Sequence, residues 1–363
     1  CRIRTIIFLQ LVGLGIVGYM PNLVNYLPAR IYLTSEASPP PMNPKLQECL
    51  ESYVFERYAT EEQALLGVAD KLDGLRMEYL PDSVGKKLES VASNIRSTFP
   101  LVEEVKSAHQ AKSDFEEGYR ALHKQVRFLQ SRIKRIDAKI EDADQAITRF
   151  DRGEESDLTR EELVSGREGL IAERQEIEAK IPSEWEAQNA AYLTLLKDDK
   201  KKVNQYRRNV DDGYNALVEV RNLIADTPSL IDIGPELDRL YAALPNMDPK
   251  EAQSALKKLR TELGQVDGTS KIKSKLNKSR KAFKGNNPDR EKALGEMEKA
   301  IDLYLAEVSW RKRAFAELTA PLLAVDEAIR LTIGLRQQTQ MTEEQALYAA
   351  SCNAGHKDVS LNF

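Results

Sequence analysis

Between Leu122 and Phe150 the apolar residues Leu122, Val126, Leu129, Ile133, Ile136, Ile140, Ala143, Ile147 and Phe150 follow one another at alternating steps of four and three. A repeat of 3.5 residues keeps one narrow edge of a helix turned toward a partner helix along a left-handed supercoil. Most of the remaining positions are charged or polar, among them Lys124, Arg127, Arg132, Lys134, Arg135, Asp137, Lys139, Glu141, Asp142 and Asp144. No second apolar face is left, so this helix is predicted to pack as a rod with one seam rather than inside a globule.

The rest of the chain speaks the same language. Of 363 residues, 30% are charged and 7% aromatic, usage that matches helical bundles and coiled coils. An all-α fold is therefore expected. A formal charge of −4 is small for this length, so no global field recruits nucleic acid, and any electrostatic partner must be met by a local patch.

The apolar run Ile6 to Met20, preceded by Arg2 and Arg4, predicts an N-terminal membrane helix over 1–24. Its two arginines stay in the cytoplasm, which makes the body extracytoplasmic on a single-pass inner (cytoplasmic) membrane protein. Gly13, Gly15 and Gly18 spell G-x-G-x-x-G, but Pro21 and Pro28 interrupt the helix that dinucleotide binding requires there. Cys1 is a candidate for lipidation, as a second anchoring signal. Pro28, Pro39, Pro40, Pro41 and Pro44 predict an extended, semi-rigid spacer over 25–44.

Asn43-Pro44 then opens a helix expected to reach Leu80, where Pro81 stops it. A second helix, with Val84, Leu88, Val91 and Ile95 as its apolar edge, is expected to end at Phe99-Pro100, closing a helical segment over 45–98. The seam follows, in a hairpin over 99–226 with its tip near 151–158. Thr159 with Glu162 caps the returning arm, and Pro182 should interrupt it. Two arms of about 50 residues give a rod of about 75 Å. Over 227–363 a helical region is expected, with a connector holding one short helix near Glu236 to Ala243 and starts at Asp248-Pro249 and Asn287-Pro288. A restart at Pro321 and a last helix capped by Thr342 and Gln345 complete it.

Chemistry is sparse. The chain has no G-x-x-x-x-G-K-[ST], G-x-S-x-G or H-E-x-x-H, so no enzyme activity, metal or cofactor is expected. His109 and His123, fourteen residues apart, are expected on exposed flanks of the seam helix. Cys49 and Cys352 bracket the body and would staple its ends in an oxidising compartment. The local basic patch is Lys271, Lys273, Lys275, Lys278, Arg280, Lys281 and Lys284, with no acid among them. Anionic headgroups, glycans, nucleic acid or an acidic protein are the partner classes it raises. Phe283, its lone aromatic, makes base stacking a poor match.

A membrane anchor followed by an antiparallel coiled-coil hairpin resembles the periplasmic adaptor proteins of bacterial export systems, whose hairpins reach partner subunits. Those proteins flank the hairpin with β-rich lipoyl and barrel domains, whereas helices are expected on both sides of it here. The expected function is a membrane-anchored, non-enzymatic scaffold whose seam residues Leu122, Val126, Leu129, Ile133, Ile136 and Ile140 and basic patch meet other proteins of an envelope complex. Pairing of the seam within or between chains is open, so a homo-oligomer is included. Two alternatives are a cytoplasm-facing organiser of polymerising proteins and an accessory regulator of an envelope enzyme.

Overall fold

A computed structural model describes residues 10–13, 21–153, 158–285 and 287–355, and every regular element among them is helical. The long helices are α1 (Pro21–Leu33), α2 (Pro44–Asp73), α3 (Asp82–Asp151), α4 (Arg160–Glu178) and α5 (Trp185–Ala225). Then come α6 (Thr227–Asp232), α7 (Gly234–Ala243), α8 (Pro249–Glu262), α9 (Ser270–Ala282), α10 (Arg290–Ile329) and α11 (Glu343–Gly355). The described residues divide into a host unit, up to Pro100 and from Arg207 onward, and an inserted unit within Leu101–Tyr206. Segments expected as separate N- and C-terminal regions thus belong to one body.

In the inserted unit, contacts pair rising residue numbers on α3 with falling ones on α4 and α5. Arg160 donates to Asp151 at 2.8 Å, Arg174 to Asp137 at 2.7 Å, and Lys202 to Glu104 at 2.7 Å, which makes the helices antiparallel. Leu129, Ile136 and Ile177 form the buried strip, with Ile133, Ile140, Leu170 and Ile181 against it. Thr159 and Glu162 cap α4 reciprocally, as their spacing predicts. The chain breaks between Glu178 and Trp185, around Pro182, because proline has no amide hydrogen to continue the ladder.

Pro100 behaves differently from expectation: α3 runs straight through it. The turn before it is held from outside, since Asn209 Nδ2 donates to Asn94 O at 2.8 Å and to Thr98 Oγ1 at 3.0 Å, and Thr98 is fully buried. Val102 and Val105 bury the turns beyond it, so packing on both sides outweighs the lost backbone bond. Pro321 is likewise inside α10 rather than at a restart, flanked by buried Leu318, Leu322 and Val325. Pro28 lies inside α1, which packs on α11, and residues 34–43 are a string of turns, closed by bonds such as Ser38 N to Ser35 O at 3.0 Å and Asn43 N to Pro40 O at 2.9 Å, in place of the expected extended spacer. At the end of α2 the error runs the other way. Gly74, whose amide donates to Asp70 O at 3.1 Å, closes the helix at Asp73, before the predicted Leu80.

The host unit is built on broad apolar faces. Leu46, Leu50, Val54, Leu65 and Leu72 of α2, Leu88, Val91 and Ile95 of α3, and Val210, Leu217 and Ile224 of α5 are all buried. A second cluster joins α6 through α10 around Leu237, Leu256, Leu276, Phe283 and Met297. The expected connector is two helices, α6 and α7, and α10 starts at Arg290 because the Asp289 carboxylate, not Asn287, accepts from Lys292 N at 2.9 Å. Cys49 of α2 and Cys352 of α11 are joined by a disulfide, with Cα atoms 5.8 Å apart across a sequence separation of 303.

Among the described residues no helix is long and apolar enough to cross a membrane. Most of the predicted span, residues 1–9 and 14–20, lies outside the described residues, as do Cys1, Gly15, Gly18 and the hairpin-tip residues 154–157.

Candidate functional site

Two places hold the side chains that the sequence singles out. The first is the seam. Val126, Leu129 and Ile136 are buried, while Leu122, Ile133 and Ile140 are half-buried. Leu129, Ile133, Ile136 and Ile140 pack against Leu170 and Ile177 of α4 and Ile181 just after it, so this part of the seam pairs within the chain.

Above that strip, where Phe115 and Tyr119 lead into the seam, the structure places an aromatic block. Tyr119 stacks on Tyr192 with ring centroids 4.7 Å apart and on Trp185 at 6.0 Å, and Phe115 stacks on Tyr192 at 6.4 Å. Tyr119 OH donates to Asn189 Oδ1 at 2.8 Å and Tyr192 OH to Glu116 at 3.1 Å. Burial, then the neighbouring Glu116 carboxylate, pushes the Tyr192 hydroxyl up to about 12. His123 is only 7% exposed and sits 5.4 Å from the Tyr119 ring, not on an exposed flank. Burial, reinforced by the positive charge of Arg127, holds it below its ordinary 6.5. His109 is also engaged, its Nδ1 meeting the buried Asp199 carboxylate that Lys112 reaches at 2.6 Å. The signal was present: Phe115, Tyr119 and His123 recur every four residues, and Trp185 and Tyr192 every seven.

The second place is α9, which carries the basic patch. Its apolar positions Ile272, Leu276 and Phe283 enter the host core, which turns the charges outward. Lys271, Lys278, Lys281 and Lys284 are exposed, and Lys273, Lys275 and Arg280 are half-buried. Lys275 faces α10, 3.7 Å from Glu296. Lys271 lines a cleft of about 380 Å³ with Lys87, Glu219 and Trp310. At the floor of that cleft Arg311 is fully buried, donating to Glu307 at 3.0 Å, Leu223 O at 3.1 Å and Asp267 O at 2.8 Å. Gly268, at φ +77°, lets the backbone approach it, since a Cβ there would stand 2.3 Å from Arg311 Nη2. Three carbonyl or carboxylate partners make Arg311 a clamp between α5, the loop before α9, and α10.

On the other edge of α9, Arg280 Nη2 donates to Asn277 Oδ1 at 3.0 Å, and Arg260 of α8 donates to the same oxygen at 3.2 Å. The sequence patch stopped short of Arg260, which lies on another helix and is brought in by packing alone. Among the described residues no group of His, Cys, Asp and Glu is placed to hold a metal ion.

Against known proteins, no family model, no curated protein and no solved structure matches the chain.

Proposed function

We propose that this chain is a non-enzymatic helical scaffold, anchored through its N-terminal apolar segment, whose inserted unit meets other proteins of an envelope complex. The observation that carries this reading is the inserted unit itself. It satisfies its apolar seam internally and surrounds it with intrahelical and interhelical ion pairs, so what it offers outward is a stiff polar surface with isolated apolar points. Phe128, 61% exposed on α3, and Leu193, 52% exposed on α5, are two such points, off the seam and open to a partner. From Leu101 to Asp151 the helical rise gives about 75 Å, enough for reach and contact.

Anchoring is supported by α1, which follows the apolar run and leaves Leu27, Ile31 and Tyr32 more than half exposed, at 57%, 69% and 55%. An apolar helix face with a tyrosine suits the boundary of a bilayer. The Cys49–Cys352 bond supports an extracytoplasmic body, since such bonds persist in oxidising compartments.

A photo-crosslinking residue at position 128 or 193, in membranes from the native cell, tests the scaffold. A discrete adduct that is lost on Phe128→Glu is the expected result. Adducts of no defined mass at both positions, or a stoichiometric cofactor in the purified chain, would overturn it.

A further inference from the structure

The cations of α8 and α9 are incompletely paired: Lys275 is 3.7 Å from Glu296 and Lys258 is 3.7 Å from Glu262, whereas among the described residues Lys271, Lys278 and Lys281 have no carboxylate within ion-pair distance. Along the groove that the two helices share, no cation has one. Gln253 donates to Phe283 O at 3.0 Å and Arg260 to Asn277 Oδ1 at 3.2 Å, which sets the helices antiparallel and brings Lys257, one turn before Arg260, opposite Arg280. Lys273 lies one turn before Asn277 on the same edge, and Lys284 follows just after the helix end at Ala282. Among the described residues no ion pair joins Lys257, Arg260, Lys273, Arg280 or Lys284 to a carboxylate.

The centre of the row is the most unbalanced point. Two guanidinium groups converge on one neutral amide oxygen, and Arg280 Nε is buried with no acceptor. A guanidinium fork is made for two parallel bonds to an oxyanion, and a single amide oxygen supplies half of that for neither arginine. A phosphate seated between Arg260 and Arg280 would accept from their Nη–H groups and neutralise their mutual repulsion. The row from Lys273 to Arg280 extends about 10 Å at helical rise, with Lys284 just past the helix end, which suits several anionic groups on a surface better than one small ion. Bases are a poor occupant, because Phe283, the aromatic of this segment, is 1% exposed and offers no stacking face.

We propose that the α8–α9 groove docks on the phosphates of anionic lipid headgroups, with Arg260 and Arg280 as the seat and Lys257, Lys273 and Lys284 as the flanks. This rests on the anchoring reading for its membrane. It gives the host unit a second hold on the bilayer, in addition to the apolar segment, and one that depends on salt and lipid charge.

The test uses the full chain and flotation with vesicles of phosphatidylcholine alone or mixed with phosphatidylglycerol. The ratio of partition into the two is the readout. Expected is a preference for the anionic vesicles that fades with added salt and drops about thirtyfold in Arg260→Gln/Arg280→Gln, at about a factor of five per basic residue. Lys258→Gln, outside the groove, should change it less than twofold. Circular dichroism confirms that each variant folds. Equal flotation with both vesicle types overturns the groove and leaves the anchor standing. Flotation with anionic vesicles alone overturns the anchor and leaves the groove standing. A second readout is the amine reactivity of Lys257, Lys273 and Lys284, which should fall on anionic vesicles only. Equal protection by inorganic phosphate, or by a single-stranded oligonucleotide, would overturn the lipid assignment.

Discussion

The host and inserted units are made of the same kind of helix and held by different means. In the host unit, side chains converge from several elements, so Leu88, Leu217, Leu237, Leu256 and Met297 lose all contact with solvent. Its buried charges are enclosed in networks. Asp326 is fully buried and accepts from Tyr214 OH at 2.7 Å, with Arg221 at 2.6 Å and Arg330 also against it. Burial alone would raise that carboxyl, but the bonds from Arg330 and Tyr214 and the charge of Arg221 outweigh it and hold the pKa low. The inserted unit has one strip of buried residues, a block of stacked rings, and ion pairs that are open to water except at Asp199, which is buried beside Lys112 and His109. Stability in the first depends on volume filled, whereas in the second it depends on length and register.

The comparison can be broken or sharpened by graded perturbations. Reducing the Cys49–Cys352 bond, which closes a separation of 303 residues, should cost the host unit on the order of 4 kcal/mol. Amide exchange would show α2 and α11 opening while the seam amides stay as they were; equal loss in both units would erase the distinction. Leu256→Ala removes a fully buried side chain and should cost about 3 kcal/mol in chemical denaturation. Ile136→Ala, in a strip only one layer deep, should cost about 2 kcal/mol and be confined to the inserted unit, because the gap collapses more easily at a narrow seam.

Acidification probes the ring block. His123 has a folded pKa held below 6.5, so above that value it is neutral folded or unfolded and stability is flat. As pH falls through 6.5 the unfolded chain takes up the proton first, and the stability of the inserted unit declines until the folded pKa is passed. His123→Phe should remove this limb of the denaturation profile, and an unchanged profile would place the proton elsewhere. The smallest effect expected is Arg174→Ala, whose bond to Asp137 is solvent-facing and should leave the unfolding midpoint where it is.

Local chemistry was legible wherever it closes on itself within a few residues. Asn43 accepts from Lys45, Thr159 pairs with Glu162, Asp248 accepts from Lys250, and Thr342 pairs with Gln345, each at the helix start that its spacing predicts. The four-three step of Leu129, Ile133, Ile136 and Ile140 likewise gave the buried strip. Proline was overvalued. Its cost is local, about 3 kcal/mol, and Asn209 beside Pro100 or Leu318 and Leu322 beside Pro321 are contributions from packing that no neighbouring residue announces.

The sequence by itself determined the helical alphabet, the capped starts and the seam, because those depend on the 3.6-residue turn and on bonds spanning three or four residues. Only the tertiary structure decided that residues before 100 and after 207 share a body, that His123 is buried among rings, and that Arg260 meets Arg280 across a groove. These depend on which faces pack together over long stretches of chain, and burial energy, being non-directional, leaves no local mark of the partner it selects.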